Sequence, residues 1–146
     1  AGTGLAAHNP NVQPITCPFT GEVLTALPAI RLDAAVIHAQ RADSRGNVQL
    51  WGITGVQKEA VLSATRSLVT VEEVVTELDP RPGAIVLPHW TVSFIACVPG
   101  GTHPSYAHGY SLRDNDYYRR WDAISRDREA FTRWLAEGVF SPSVAR

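Results

Sequence analysis

Residues 34–59, AAVIHAQRADSRGNVQLWGITGVQKE, hold the main clue to the architecture. Residues 34–39 form a short apolar run of buried-strand length. Asp43, Ser44, Arg45, Gly46 and Asn47 supply turn chemistry, and Gly46 takes positive φ without a Cβ clash. Residues 48–51 resume an extended apolar pattern. Thr54 and Gln57 then have the spacing of a capping box, in which side chains satisfy the orphan amides of a helix start. Val56, Ala60 and Ala64 recur at helical spacing, which predicts a helix over about 55–66. Residues 67–75, SLVTVEEVV, are β-branched and read as a core strand. Strand, helix and strand in this order predict a right-handed parallel βαβ unit.

Outward from this centre the signals are shorter. Residues 12–17 and 22–27 read as strands around a Pro18/Gly21 turn, and Pro28 stops the second. Residues 79–83, DPRPG, are a loop. Residues 85–87 and 92–98 are apolar runs either side of Pro88, His89 and Trp90. Over residues 113–133, six Arg interleave with five acids, a solvated helix with internal ion pairs. Tyr117, Trp121, Ile124, Phe131 and Leu135 supply its apolar face. Asp114 or Asn115 caps its start and Gly138 ends it.

Composition narrows the class. The chain has 146 residues, 45% of them apolar and 18% charged, one globular domain's worth. Net charge is −1, so no global field favours nucleic acid or an anionic membrane. Twelve Arg stand against one Lys, Lys58, a bias of genome composition. Two distant cysteines, Cys17 and Cys97, do not make a disulfide framework. No signal peptide opens the chain and no apolar run spans a bilayer, so a cytoplasmic protein is expected. Methionine is absent, and the opening is rich in Gly, Asn and Pro. Residues 1–11 therefore read as an exposed connection, and the chain as a piece of a longer protein.

Chemistry-bearing residues are few. His38, His89, His103 and His108 with Cys17 and Cys97 match no compact zinc spacing, so no metal site is expected. Glu72 and Glu73 are adjacent on the strand and point to opposite faces. At least one is buried or faces a cleft, and a buried carboxylate needs a partner; a structural ion pair and a site role both remain open. Residues 99–106, PGGTHPSY, are the best local site. Gly100 and Gly101 let backbone amides approach an anion, while His103, Ser105 and Tyr106 add polar groups. A plain connector is the alternative.

Five runs in order carry a family resemblance: CPFTGE (17–22), VIHAQRADSRGNVQLWGITGVQKEA (36–60), VTVEEVV (69–75), PGGTHPSYAHGY (99–110) and RDNDYYRRWDAISRDREAFTRWL (113–135). The chain resembles the A (alpha) subunit of class I CoA-transferases, nearest the 3-oxoadipate type. The resemblance implies an α/β fold, a three-layer α/β/α sandwich with a mostly parallel sheet. It also implies that residues 1–146 are one domain, the C-terminal portion of an A subunit, with 113–138 as its helical end. The implied activity moves CoA from succinyl-CoA to a 3-oxo acid such as 3-oxoadipate, through a glutamyl-CoA thioester. The nucleophilic glutamate belongs to a partner B (beta) subunit, in an A2B2 heterotetramer, so no catalytic residue is expected in this chain. CoA enters as a thioester substrate, with no tightly bound cofactor and no nucleic-acid or membrane partner. Gly100, Gly101, His103, Ser105, Tyr106, Glu72 and Glu73 are the expected substrate-binding residues. Thr102 departs from the family's GGAHPSY pattern. A ring-cleaving hydrolase of CoA-linked steroid breakdown products, and a non-catalytic subunit-docking module, are the alternatives.

Overall fold

A computed structural model of the chain describes residues 4–141. The elements run α1 (Leu5–His8), β1 (Gln13–Thr16), β2 (Val23–Ala26), β3 (Leu32–Asp43), β4 (Val48–Leu50), α2 (Gln57–Ser63), β5 (Ala64–Val75), β6 (Ile85–Leu87), β7 (Phe94–Cys97), α3 (Asn115–Arg126) and α4 (Arg128–Trp134). The class is α/β, as expected. β1 and β2 form a separate antiparallel hairpin. The main sheet has the order β6-β4-β3-β5-β7.

The predicted parallel pair is present: β3 and β5 run parallel in register from Leu32↔Ala64 to Asp43↔Val75, and β7 adds in parallel to β5. β4 runs antiparallel to β3 and β6 antiparallel to β4, so β4 alone is reversed and the sheet is mixed. The reason is local, since the four residues joining β3 to β4 are too few for a parallel crossover. Gly46 turns that corner at φ 88.

Asp43 holds the corner together. Its Oδ1 accepts from the Arg45 and Asn47 amides, each at 2.9 Å, and its Oδ2 from Asn47 Nδ2 at 2.8 Å. Burial pushes this carboxyl up, but the Asn47 side chain, the Asn47 and Arg45 amides and the Arg45 charge together hold it below the ordinary 3.8. A depressed folded value means that the ionised form is favoured by folding. The contribution is therefore complete above the ordinary aspartate value and is lost as pH falls below it, through the folded value. Asp43→Ala should lower stability at neutral pH by about 1–3 kcal/mol and flatten the acid limb of a stability–pH curve. An unchanged acid limb would contradict this account.

Burial alternates along the two long strands, as a period of two requires. Ala35, Ile37 and Ala39 of β3 and Val69 and Val71 of β5 lie in one cluster with Val61 of α2, Leu50 and Leu87. Burying each Leu or Val in such a cluster contributes about 1.5–3 kcal/mol. The opposite face carries Val36, Leu68 and Phe94 in one register row, all exposed. Beside that row stand His38, Gln40, Thr70 and Glu72, the floor of the site.

Several boundaries differ from expectation. Helix α2 is shorter than 55–66, because Ala64 is already extended and pairs with Leu32. No side chain caps it: Val56 is the N-cap, and Thr54 accepts the Gln57 amide with its carbonyl, not its hydroxyl. Gly55, at φ 54, sets that turn. The C-terminal helix is two helices. Asp127 is extended and caps α4 by accepting from the Ala130 amide, since aspartate favours caps over helix interiors. Asp114 caps α3, accepting from the Tyr117 amide at 2.8 Å. Gly138 lies within a π-helical turn, Leu135–Val139, and does not end the helix. Within the opening connection α1 forms one exposed turn, while Val12 just beyond it is buried. No helix among the described residues is long and apolar enough to cross a membrane.

Candidate functional site

Residues 98–111 leave β7 and fold back over the polar part of the exposed sheet face. Glu72 ties them there. It is 6% exposed, and both carboxylate oxygens are engaged. Oε2 accepts the Gly100 N–H at 2.7 Å, and Oε1 lies 3.0 Å from His38 Nε2. His38 Nδ1 meets Thr70 Oγ1 at 2.8 Å. The strand pairing makes this cluster, because His38 stands opposite Thr70 in the β3–β5 register. A carboxylate with no Arg or Lys partner among the described residues thus spans a backbone amide and an imidazole whose second nitrogen is also held.

The loop is close against this floor. Gly100 has φ 72, and the Gly101 N–H donates to Val98 O at 3.0 Å. A Cβ at Gly101 would lie 3.1 Å from His38 Cε1. Both glycine amides are thus used within the chain, Gly100 N–H on Glu72 and Gly101 N–H on Val98 O. Gly100 and Gly101 shape the loop. Thr102, the departure from the family pattern, uses its hydroxyl on Ser111 Oγ at 3.3 Å, across the base of the loop. The His103–Pro104 peptide is cis.

Between the loop, β3 and the β4–α2 connection lies a cleft of about 230 Å³. His38, Gln40, Trp51, Thr54, Ser105 and Tyr106 are among its walls. Gln40 is committed to the Trp51 backbone, donating to the carbonyl at 3.2 Å and accepting from the amide at 3.1 Å. No Asp, Glu, Lys or Arg among the described residues lines this cleft.

The seven expected residues thus separate. Ser105 and Tyr106 line the cleft, and Glu72, Gly100 and Gly101 form its support. His103 turns away: its ring is edge-on to Tyr117, and Nε2 is 3.5 Å from Asp114. Glu73 points to the other face, as alternation requires, and pairs with Arg41 and with the Tyr110 hydroxyl at 2.6 Å. That hydroxyl foremost, with Arg41 and against burial, holds Glu73 below the ordinary carboxylate value. Burial, then Glu73, raises Tyr110. Above them the Trp51 ring has the Arg81 guanidinium 4.0 Å from its centroid. Of the two glutamates, Glu73 makes an ion pair with Arg41, and Glu72 lies against His38, which lines the cleft.

Sequence reasoning missed His38, Gln40 and Thr70. The signal was present in the pattern: His38 and Gln40 sit two apart in β3, as do Thr70 and Glu72 in β5. Two such polar pairs imply one polar face once the strands are known to pair. Among the described residues no group of three or more His, Cys, Asp or Glu side chains is placed to hold a metal.

Residues 2–97 match the profile of the coenzyme A transferase family. The chain is 58% identical over 95% of its length to the A subunit of 3-oxoadipate CoA-transferase from Pseudomonas knackmussii, of which it covers 49%. The structure of glutaconate coenzyme A-transferase from Acidaminococcus fermentans superposes with a TM-score of 0.75 at 32% identity, over 89% of this chain and 42% of that one. A variant of the decarboxylase AibA/AibB superposes with a TM-score of 0.71 at 30% identity, over 92% of this chain and 50% of that one. The chain thus spans about half the length of the proteins it matches.

Proposed function

This chain belongs to the coenzyme A transferase family, and we propose that it is the C-terminal portion of an A subunit whose enzyme moves CoA from succinyl-CoA to a 3-oxo acid such as 3-oxoadipate. The observation that carries the proposal is the 58% identity to the 3-oxoadipate CoA-transferase chain, maintained over 95% of this one. The partner is a B subunit, in an A2B2 heterotetramer. CoA is a thioester substrate, and the enzyme carries no tightly bound cofactor.

The chemistry is covalent catalysis by a carboxylate. A glutamate on the B chain attacks the acyl-CoA carbonyl, forming an acyl-glutamyl anhydride and expelling the CoA thiolate. The thiolate then attacks the glutamyl carbonyl, giving the glutamyl-CoA thioester and releasing the first acid. The acceptor carboxylate reverses both steps. The geometry supports a nucleophile outside this chain. Glu72 is buried with both oxygens hydrogen-bonded, and Glu73 is paired with Arg41 and Tyr110 away from the cleft. Ser105 and Tyr106 contact the acyl group. Glu72, Gly100 and Gly101 hold the loop that carries them, and His103 and Glu73 steady its surroundings.

The isolated chain is expected to transfer no CoA from succinyl-CoA to 3-oxoadipate, whereas the full-length A–B assembly transfers it and forms a glutamyl-CoA adduct on B. Turnover by the verified-pure chain, or an adduct on Glu72, would overturn these roles. Thioester hydrolysis that needs no acceptor acid would favour the hydrolase alternative.

A further inference from the structure

The cleft has two kinds of polar wall. His38, Gln40 and Thr102 already spend their side chains inside the chain. Thr54, Gln57, Ser105, Tyr106 and His108 line the same space, and their side chains make no hydrogen bond to other described residues. They come from opposite sides. Thr54 and Gln57 stand where β4 leads into α2, and Ser105, Tyr106 and His108 stand on the loop over the sheet. Two sets of unspent donors therefore converge on one small space lined by no acid among the described residues.

The size limits what enters. About 230 Å³ is below the roughly 300–1,000 Å³ of pockets that enclose drug-sized ligands, so the cleft takes one end of a small acid and not CoA. A carboxylate, with about four acceptor sites on two oxygens, is the group that hydroxyl, amide and imidazole donors from two sides satisfy.

We propose that this cleft is a specificity pocket for the free carboxylate of a dicarboxylic acyl group, the end remote from the thioester, gripped by Ser105 and Tyr106 from the loop and Thr54 and Gln57 from the opposite wall. This rests on the CoA-transferase reading and adds to it which end of the acid this chain recognises. A site built to hydrogen-bond a polar group rejects the analogue lacking it, because its own donors are then left unpaired.

The test is calorimetric binding of adipate and hexanoate to the full-length A–B assembly, which needs no turnover. Adipate should bind at least on the order of tenfold more tightly than hexanoate. Ser105→Ala combined with Tyr106→Phe should remove most of that difference. Thr54→Val, of nearly the same shape on the opposite wall, should reduce it independently if the loop variant fails to assemble. Equal binding of the two acids by the unaltered assembly, or an adipate preference undiminished in assembled variants, would overturn the pocket. An adipate preference that follows the variants, in an assembly that moves no CoA, would overturn the transferase reading and leave the pocket standing.

Discussion

Valine in place of Gly101 is expected to cut CoA transfer by the assembled enzyme by about a hundredfold, the scale on which a displacement near 1 Å matters in an active site. The cause is a lack of space, not an unusual backbone angle. A Cβ at this position would lie 2.9 Å from Val98 O, 3.1 Å from His38 Cε1 and 3.2 Å from His38 Nδ1. The carbonyl belongs to the backbone and already accepts the Gly101 amide. The imidazole cannot swing aside without releasing Glu72 or Thr70. The loop must therefore lift, and Ser105 and Tyr106 move with it. Overpacking of this kind also costs about 1–3 kcal/mol of stability, so pairing with B is checked by size-exclusion chromatography before rates are compared. A Gly101→Val enzyme that assembles and turns over normally would show that the loop's distance from the sheet is unimportant.

Removal of the Glu72 side chain should have the larger effect on stability. Glu72→Ala removes a buried carboxylate and leaves the Gly100 N–H and the His38 ring nitrogen of two part-buried hydrogen bonds without their partner, and a group left unsatisfied costs up to about 1–3 kcal/mol when fully buried. The urea midpoint should fall at nearly constant slope, because the surface exposed on unfolding is unchanged. The Gly100 amide should exchange its hydrogen faster. Glu72→Gln keeps the shape and one acceptor, so its loss should be less than half as large. If Glu72→Ala unfolds within about 0.5 kcal/mol of the parent, like an ordinary surface substitution, the carboxylate is not the anchor of the loop.

The features behind these expectations differ in how far the chain alone reveals them. The β3–turn–β4 corner was legible because its determinants are local. Asp43 to Asn47 carry both the turn chemistry and the glycine that needs positive φ, and the polar cap is made within five residues. The parallel pairing of β3 with β5 was legible because β-branched runs separated by a helical segment have few topologies available. The opposite orientations of Glu72 and Glu73 followed from the two-residue period alone. The break in the C-terminal helix was missed although its signal is local: Asp127, read as one acid among interleaved charges, is a cap.

Which distant groups meet became visible only in the folded chain. Register places His38 beside Thr70 and within reach of Glu72, 34 residues away, and no spacing in the sequence encodes that pairing. The glycine amides read as anion donors because Gly100 and Gly101 permit close approach, but a buried carboxylate and a carbonyl reached them first. His103 looked equal to Ser105 two residues on, yet Asp114 and Tyr117 draw it to the other side of the loop. Periodicity and turn chemistry act over a few residues, so the order of amino acids was enough for the elements, their faces and the parallel pair. Contacts between remote segments depend on register and on competition for each donor, and these exist only once the sheet is assembled.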